Sequence, residues 1–403
     1  MWSKTVTVEE ALNYLYLRIS ESENLENRKL IESGGRILAE NLTASIDQPP
    51  FTRSPLDGYA LYAKETEGAT PQNPVKLQVV GKVYAGEYLT GEVKQGQAVR
   101  IMTGAPIPKG CDTVIRQEDT DYGETEVCIY REQKAYENFC PEGEDFFKGE
   151  VLLKKGRKMN ALELGIAASA GIETVKVKKK VLAAVITTGD ELCIPGQQLH
   201  KGQIYDSNQF MIVQRLKELG AEPIFVSHVT DSKENLENQL KKAVKKADLI
   251  ITTGGVSVGE KDFVKQVLEK IGAEIIFDRI KVKPGSPSVF SVWKGKPIFS
   301  LSGNPFGTIV HMELFVRTAL SIMLGCKEIA AKEEDAFFQQ TIEKKCPVPR
   351  YMRAVLKNGQ VFLPDKKEKS GILSSINGCN CFLKMEAGKE KMEKGEKVCV
   401  VRI

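Results

Sequence analysis

Seven acids of this chain stand in turn-forming surroundings: Asp57, Asp145, Asp190, Glu191, Asp206, Asp231 and Asp262. One acid in a turn is ordinarily a helix cap or an Asx turn. Several acids gathered beside a bound phosphate would suit magnesium, which takes one or two carboxylates and completes its shell with phosphate oxygens and water. Sequence alone does not show whether they gather. A second stretch, Thr252-Thr253-Gly254-Gly255-Val256-Ser257-Val258-Gly259-Glu260-Lys261-Asp262, offers a cradle for an anion. Gly254 and Gly255 let backbone amides approach without an intervening side chain, and the helix expected next adds its partly positive end. The plainer reading of the loop, still open here, is a strand-to-helix turn capped by Asp262. A third stretch, Arg279-Ile280-Lys281-Val282-Lys283, alternates with period two, so an extended chain puts Arg279, Lys281 and Lys283 on one face. That face either attracts phosphate or another oxyanion or is simply solvated. Pro284-Gly285 turns the chain at once and holds Lys283 at a loop edge.

Other chemistries find little support. No Gly-x-x-x-x-Gly-Lys-Ser/Thr run is present. The three histidines, His200, His228 and His311, lie far apart. The nine cysteines are scattered, and the closest pair, Cys379-x-Cys381, is too tightly spaced for a zinc knuckle. Covalent nucleophilic catalysis is therefore a minor hypothesis.

The elements that must position these residues are clearest between Lys180 and Gly325. The apolar run Val181 to Ile186 ends in Thr187-Thr188-Gly189-Asp190-Glu191. A helix follows over Ser207 to Leu219, with Phe210, Val213, Leu216 and Leu219 at helical spacing. A strand over Pro223 to Val229 precedes Asp231-x-x-Glu234, which reads as a capping box for a second helix. The strand Asp248 to Ile251 runs into the glycine cradle, a third helix spans Asp262 to Ile271, and a strand covers Glu274 to Phe277. Alternating strands and helices predict a mostly parallel sheet covered on both faces. Ligands of such sheets bind at the carboxyl ends of the strands. Those ends are all polar or glycine-rich: the turn Thr187 to Glu191, Thr230-Asp231, the cradle, and Ser302-Gly303-Asn304-Pro305.

The flanks differ in character. Val8 to Ile19 and Met159 to Ala170 read as helices, Leu77 to Ile115 as a small β-rich module, and the chain after Gly325 as short strands. Lys plus Arg number 57 and Asp plus Glu 53, a net charge of +4. Such a balance implies neither a nucleic-acid nor a membrane partner. The N-terminus does not read as a signal peptide. The apolar stretch Thr308 to Leu324 carries His311, Glu313 and Arg317 and reads as a buried helix, not a membrane span. A cytoplasmic, reduced protein is expected.

Taken together, the segments resemble the molybdopterin molybdenumtransferases, the MoeA family, related to the gephyrin E domain. The resemblance rests on Ser54-Pro55-Leu56-Asp57-Gly58-Tyr59-Ala60, Arg100-Ile101-Met102-Thr103-Gly104-Ala105-Pro106, Gly143-Glu144-Asp145, Thr188-Gly189-Asp190-Glu191-Leu192, Ile204-Tyr205-Asp206-Ser207-Asn208, the Gly254 to Asp262 loop, Lys283-Pro284-Gly285 and Gly303-Asn304-Pro305. These motifs stand in the family's order and cover nearly the whole chain.

The resemblance implies a multidomain α/β plus β architecture. A doubly wound molybdopterin-binding α/β domain would cover residues 179–325 and a β-rich domain residues 48–144. An elongated domain would combine residues 1–47 with 145–178, and a C-terminal β-barrel would cover 326–403. It further implies a homodimer whose site lies between the α/β domain of one subunit and the β-rich domain of the other. The implied reaction uses molybdate and Mg2+ to convert adenylylated molybdopterin into molybdenum cofactor, releasing AMP. A molybdopterin adenylyltransferase and molybdoenzyme maturation factors are the implied partners.

By resemblance, Asp57, Glu191 and Asp262 carry the metal or hydrolytic chemistry, and Asp57, Asp145, Glu191, Asp231 and Asp262 are the metal ligands. Thr103, Thr188, Gly189, Asp190, Gly254, Gly255, Ser257, Arg279, Lys281 and Lys283 are the binding residues, with Arg279 and Lys283 on the oxyanion. Four features depart from the family pattern: Cys140 stands where an arginine is expected, Ser286 replaces a lysine, Ser302 a proline, and the C-terminal stretch near Asn377-Gly378-Cys379-Asn380 is atypical. Two further readings compete: a specialised or non-catalytic relative that binds molybdopterin or handles tungstate, and a molybdopterin adenylyltransferase.

Overall fold

A computed structural model describes residues 4–256, 263–364 and 371–403. Its largest sheet has seven strands in the order Thr5–Val6, Glu274–Ile280, Pro287–Trp293, Lys296–Leu301, Leu249–Thr253, Val181–Thr188 and Ala221–Val229. The last four run parallel, whereas Pro287–Trp293 is antiparallel to both neighbours. The hairpin joining Pro287–Trp293 to Lys296–Leu301 turns at Lys294 and Gly295, both at positive φ, and was not foreseen from the sequence.

Two apolar clusters cover the two faces of this sheet. One joins Val185, Ile251 and Leu301 to the helices Val8–Arg18, Ser207–Glu218 and Arg317–Leu324; the other joins Ala184 and Ile250 to Lys233–Ala243 and Val264–Lys270. Continuous apolar strands such as Val181–Thr188 follow from burial on both sides. The helical stretch Pro305–Leu324 is long and apolar enough to cross a membrane, but 83% of its apolar window is buried inside the protein. It is a core element, as expected. Glu313, itself buried, is held there by Arg215 at 2.6 Å and Arg317 at 2.9 Å.

Three smaller units flank the sheet. A five-stranded sheet is built from Thr113–Arg116, Gly58–Leu61, Gln97–Ile101, Val75–Val83 and Glu126–Ile129. Paired strands Leu25–Lys29 with Thr174–Lys178, and Leu42–Thr43 with Val151–Leu153, pack with the helix Ala161–Ser169 around Leu38, Met159 and Val177. The C-terminal region closes a five-stranded β-barrel. The first residues do not join the elongated unit expected over 1–47. Thr5–Val6 pairs with Arg279–Ile280, and Val8, Ala11 and Leu15 of the capped helix Val8–Arg18 enter the core of the large sheet.

Candidate active site

The carboxyl ends of the four parallel strands meet around one cavity of about 400 Å³. Thr188, Gly189 and Glu191 reach it from the first strand, Asp231 from the second, Thr253, Gly254 and Gly255 from the third, and Ser302, Gly303 and Asn304 from the fourth. Gly254 has φ +96°, and a Cβ there would lie 2.4 Å from the Thr188 carbonyl oxygen. Only glycine permits that approach. At Gly189 a Cβ would lie 2.6 Å from the Glu191 carboxylate, which folds back over this position. Glu191, Asp206 and Asp231 line the cavity, and among the described residues no Lys or Arg does. Ser257 and Asp262 lie outside the described residues, so the structure does not place that half of the expected cradle.

Asp231 is not the helix cap its spacing suggested. Ser232 caps Lys233–Ala243, accepting the Asn235 amide. The Asp231 carboxylate instead accepts the Asp190 amide.

A second cavity, about 470 Å³, opens between the α/β sheet and the barrel. Lys283, Arg350 and Arg353 line it together with Gly285, Ser286 and Asn304. The cation-bearing loop is stitched to the barrel: the Lys283 amide donates to Pro349 O at 2.9 Å, and the Tyr351 amide donates to Lys283 O at 2.8 Å. Arg350 Nε donates to the buried Cys346 Sγ at 3.2 Å. The Arg353 guanidinium lies 3.9 Å from the Phe306 ring centroid, a cation–π contact. Asn304 lines both cavities, its side chain accepting the Phe306 and Gly307 amides.

The expected alternation of Arg279 to Lys283 is present, since Ile280 and Val282 are fully buried. The strand itself ends at Ile280, however, and of the three cations only Lys283 lines a described cavity. Arg350 and Arg353 escaped the sequence reading. Their signal was a cation inside the apolar strand Tyr351-Met352-Arg353-Ala354-Val355.

A third cavity, about 560 Å³, lies on the β-rich unit between Arg53, Thr103, Tyr136, Phe139, Cys140 and Glu144. Asp57 is fixed beside it: its Oδ1 accepts both the amide and the hydroxyl of Thr103, each at 2.7 Å. These two bonds, the backbone one first, hold the Asp57 carboxyl below the usual carboxylate range. Asp57 is therefore anionic at neutral pH, with Oδ2 left for a ligand. Cys140 Sγ donates to Glu144 Oε2 at 2.6 Å, and burial, then that contact, pushes its thiol up. Asp145 is exposed and lines none of the three cavities.

Among the described residues no three His, Cys, Asp or Glu side chains converge to hold a metal. The expected ligand set of Asp57, Asp145, Glu191 and Asp231 is thus not gathered within one chain, and its fifth member, Asp262, lies outside the described residues. Glu191 and Asp231 sit at the strand ends of the α/β sheet, and Asp57 on the β-rich unit.

Comparison with known proteins matches three successive segments to family descriptions. Residues 6–171 match the MoeA N-terminal region (domain I and II), 184–321 a probable molybdopterin binding domain, and 336–403 the MoeA C-terminal region (domain IV). A protein of Staphylococcus epidermidis named molybdopterin molybdenumtransferase is 34% identical over 399 residues, covering 98% of this chain and 95% of that protein. The chain belongs to the MoeA family. A Bacillus subtilis protein of the same name is 34% identical, over 93% of this chain and 89% of its own length. A crystal structure of a molybdopterin biosynthesis MoeA protein from Pyrococcus horikoshii superposes with a TM-score of 0.86 at 31% identity, over 99% of this chain and all of that one. The multidomain α/β plus β architecture with its terminal barrel is accordingly that of a MoeA protein.

Proposed function

We propose that this MoeA-family protein inserts molybdate into adenylylated molybdopterin and releases AMP. The observation that carries the reading is the separation of charge between two cavities that meet at Asn304. The acidic one sits where doubly wound sheets hold their ligands. The basic one offers Lys283, Arg350 and Arg353 to an oxyanion, and molybdate is an oxyanion. A charge-assisted bond of this kind contributes about 1.5–3 kcal/mol. The guanidinium forks add geometric selection that a lysine alone lacks.

Magnesium fits the acidic cavity as an ion that arrives with substrate phosphate. Glu191 and Asp231 supply carboxylates there, the one or two that such an ion takes. When bound it would neutralise charge on the phosphates. We further propose a homodimer in which Asp57 and Thr103 of one copy complete the acidic cavity of the other. All nine cysteines are free thiols, which fits a reducing, cytoplasmic compartment. A molybdopterin adenylyltransferase would supply the substrate, and molybdoenzyme maturation factors would receive the product.

The test incubates purified protein with adenylylated molybdopterin, magnesium and either molybdate or tungstate, following AMP and transferable cofactor together. Stoichiometric AMP and active cofactor with molybdate are expected. Tight binding without AMP release would instead make the protein a carrier.

A further inference from the structure

Tyr136 stands in a backbone conformation that its side chain disfavours. Its φ is +66°, and Asn138, two residues on, is at +52°. Asparagine tolerates the left-handed region, whereas a bulky tyrosine there is an outlier. Glycine would adopt the same turn without that cost. The turn is held firmly in place. The Tyr136 amide donates to Asp112 O at 2.7 Å, the Thr113 hydroxyl donates to Glu137 O at 2.9 Å, and Asn138 Nδ2 donates to Val114 O at 2.9 Å. The tyrosine gains little burial in return, since it is 71% exposed. Its ring meets that of Phe139, with 5.3 Å between centroids and 83° between planes. Strain kept at an exposed aromatic side chain points to a function for its ring.

Both rings line the cavity of about 560 Å³ on the β-rich unit, away from the strand ends of the α/β sheet. Set nearly at right angles, they make a corner. A flat ring lying on one face meets the other ring at its edge, and both arrangements are favourable between aromatic groups. Arg53 lines the same cavity, and its guanidinium fork suits a phosphate. Glu144, the anion of this wall, is engaged by the Cys140 thiol. We infer that Tyr136 and Phe139 form a stacking corner for a planar heteroaromatic ring whose phosphate tail meets Arg53. Such rings stack on exposed aromatic side chains without a fixed hydrogen-bond pattern. Adenine and pterin share this chemistry, and the inference rests on the proposed substrate for offering those two rings.

The experiment measures calorimetric affinity of the full-length protein for AMP, for molybdopterin and for ribose 5-phosphate, which carries a phosphate and no aromatic ring. Tyr136→Gly removes the ring and relieves the backbone, so the variant should melt no lower than wild type. It is expected to bind AMP or molybdopterin about fivefold to a hundredfold more weakly, the range for removing one stacked ring, with ribose 5-phosphate unaffected. Tyr136→Phe keeps the ring and should bind like wild type. A loss confined to AMP assigns the corner to adenine, and a loss confined to molybdopterin assigns it to the pterin. Wild-type affinity of Tyr136→Gly for both would overturn the inference, as would an equal loss in Tyr136→Phe, which would implicate the hydroxyl. Dissociation of a dimer in sedimentation with affinities unchanged would make the ring a contact between copies and overturn it too. Ring binding that depends on Tyr136 in a protein that never releases AMP from adenylylated molybdopterin would sink the transferase reading alone.

Discussion

Asp190 and Asp231 cap one another across two strand ends. The Asp231 amide donates to Asp190 Oδ1 at 3.0 Å, and the Asp190 amide donates to Asp231 Oδ2 at 3.5 Å. The pair ties the loop after Val181–Thr188 to the loop after Ala221–Val229, and it places Glu191, the next residue, at the cavity wall. Asp231→Asn keeps an acceptor for the Asp190 amide, whereas Asp231→Ala removes it. The alanine variant should lose about 1 kcal/mol in urea unfolding, the usual worth of a capping oxygen, and more of its magnesium-dependent AMP release than the asparagine variant. Equal losses in the two would mean that charge on Asp231, not the cap, matters.

The Asp57–Thr103 contact predicts a pH dependence. Thr103 stabilises the ionised carboxylate, so the folded protein holds Asp57 below its ordinary value. The stabilisation is therefore present above the ordinary carboxylate range and is lost as pH falls through the depressed value. Thr103→Val removes the hydroxyl bond and keeps the amide bond. The acid limb of the rate profile should move to higher pH in Thr103→Val and stay put in Thr103→Ser. Asp57→Ala should abolish AMP release and leave the protein folded, losing only the stability of the two Thr103 bonds, because Asp57 sits in a polar turn and not in a core. An unmoved acid limb in Thr103→Val would detach Asp57 from the rate.

Much of this layout was legible from sequence for a physical reason. The inner strands of the large sheet, Val181–Thr188 and Leu249–Thr253, are buried on both faces and so read as unbroken apolar runs, and the polar residues ending them had to lie together at one edge. The Thr7–Glu10 capping box starts the first helix as its pattern demands. What sequence did not disclose were contacts between distant segments. Asp231 looked like a cap because a local spacing fitted, yet Ser232 one residue later took that role and freed Asp231 for Asp190, 41 residues away. Arg350 and Arg353 belong to a barrel strand whose alternation gave no hint of Lys283 alongside. The period-two pattern of Arg279 to Lys283 was right about the backbone and silent about which cation meets a cavity.

That distinction is measurable. Lys283 lines the basic cavity and Arg279 does not, so Lys283→Gln should weaken molybdate binding while Arg279→Gln leaves it near wild type. The Lys283 effect should be larger at low salt, where screening is least. Loss of about 1.5–3 kcal/mol, one charge-assisted bond, is the expected scale. The same titration checks Arg350. Removing its sulfur partner with Cys346→Ala should raise the molybdate requirement without lowering the maximal rate, and Cys346→Ser, which restores an acceptor, should recover part of it. If Arg279→Gln weakens binding as much as Lys283→Gln, the anion sits along the strand face and not in the cavity.

Cys140 stands where the family resemblance places an arginine, and its surroundings decide what restoring one would do. The thiol donates to Glu144 at 2.6 Å, and residue 140 is backbone-paired with Arg53, which lines the same cavity. A guanidinium at 140 would meet the Glu144 carboxylate first and form an ion pair with it, leaving no net charge for an oxyanion. Cys140→Arg alone should therefore leave molybdate and substrate affinity unchanged, at a stability cost of about 1–3 kcal/mol for a larger side chain in a packed site. Cys140→Arg combined with Glu144→Gln should tighten anion binding, because the new charge is no longer neutralised. The two variants are compared by calorimetry at matched salt, with urea unfolding as the stability control. Tighter binding from the single variant would show that Glu144 turns away and that Cys140 marks a vacated anion contact. No gain from the double variant would mean that residue 140 faces no anion at all.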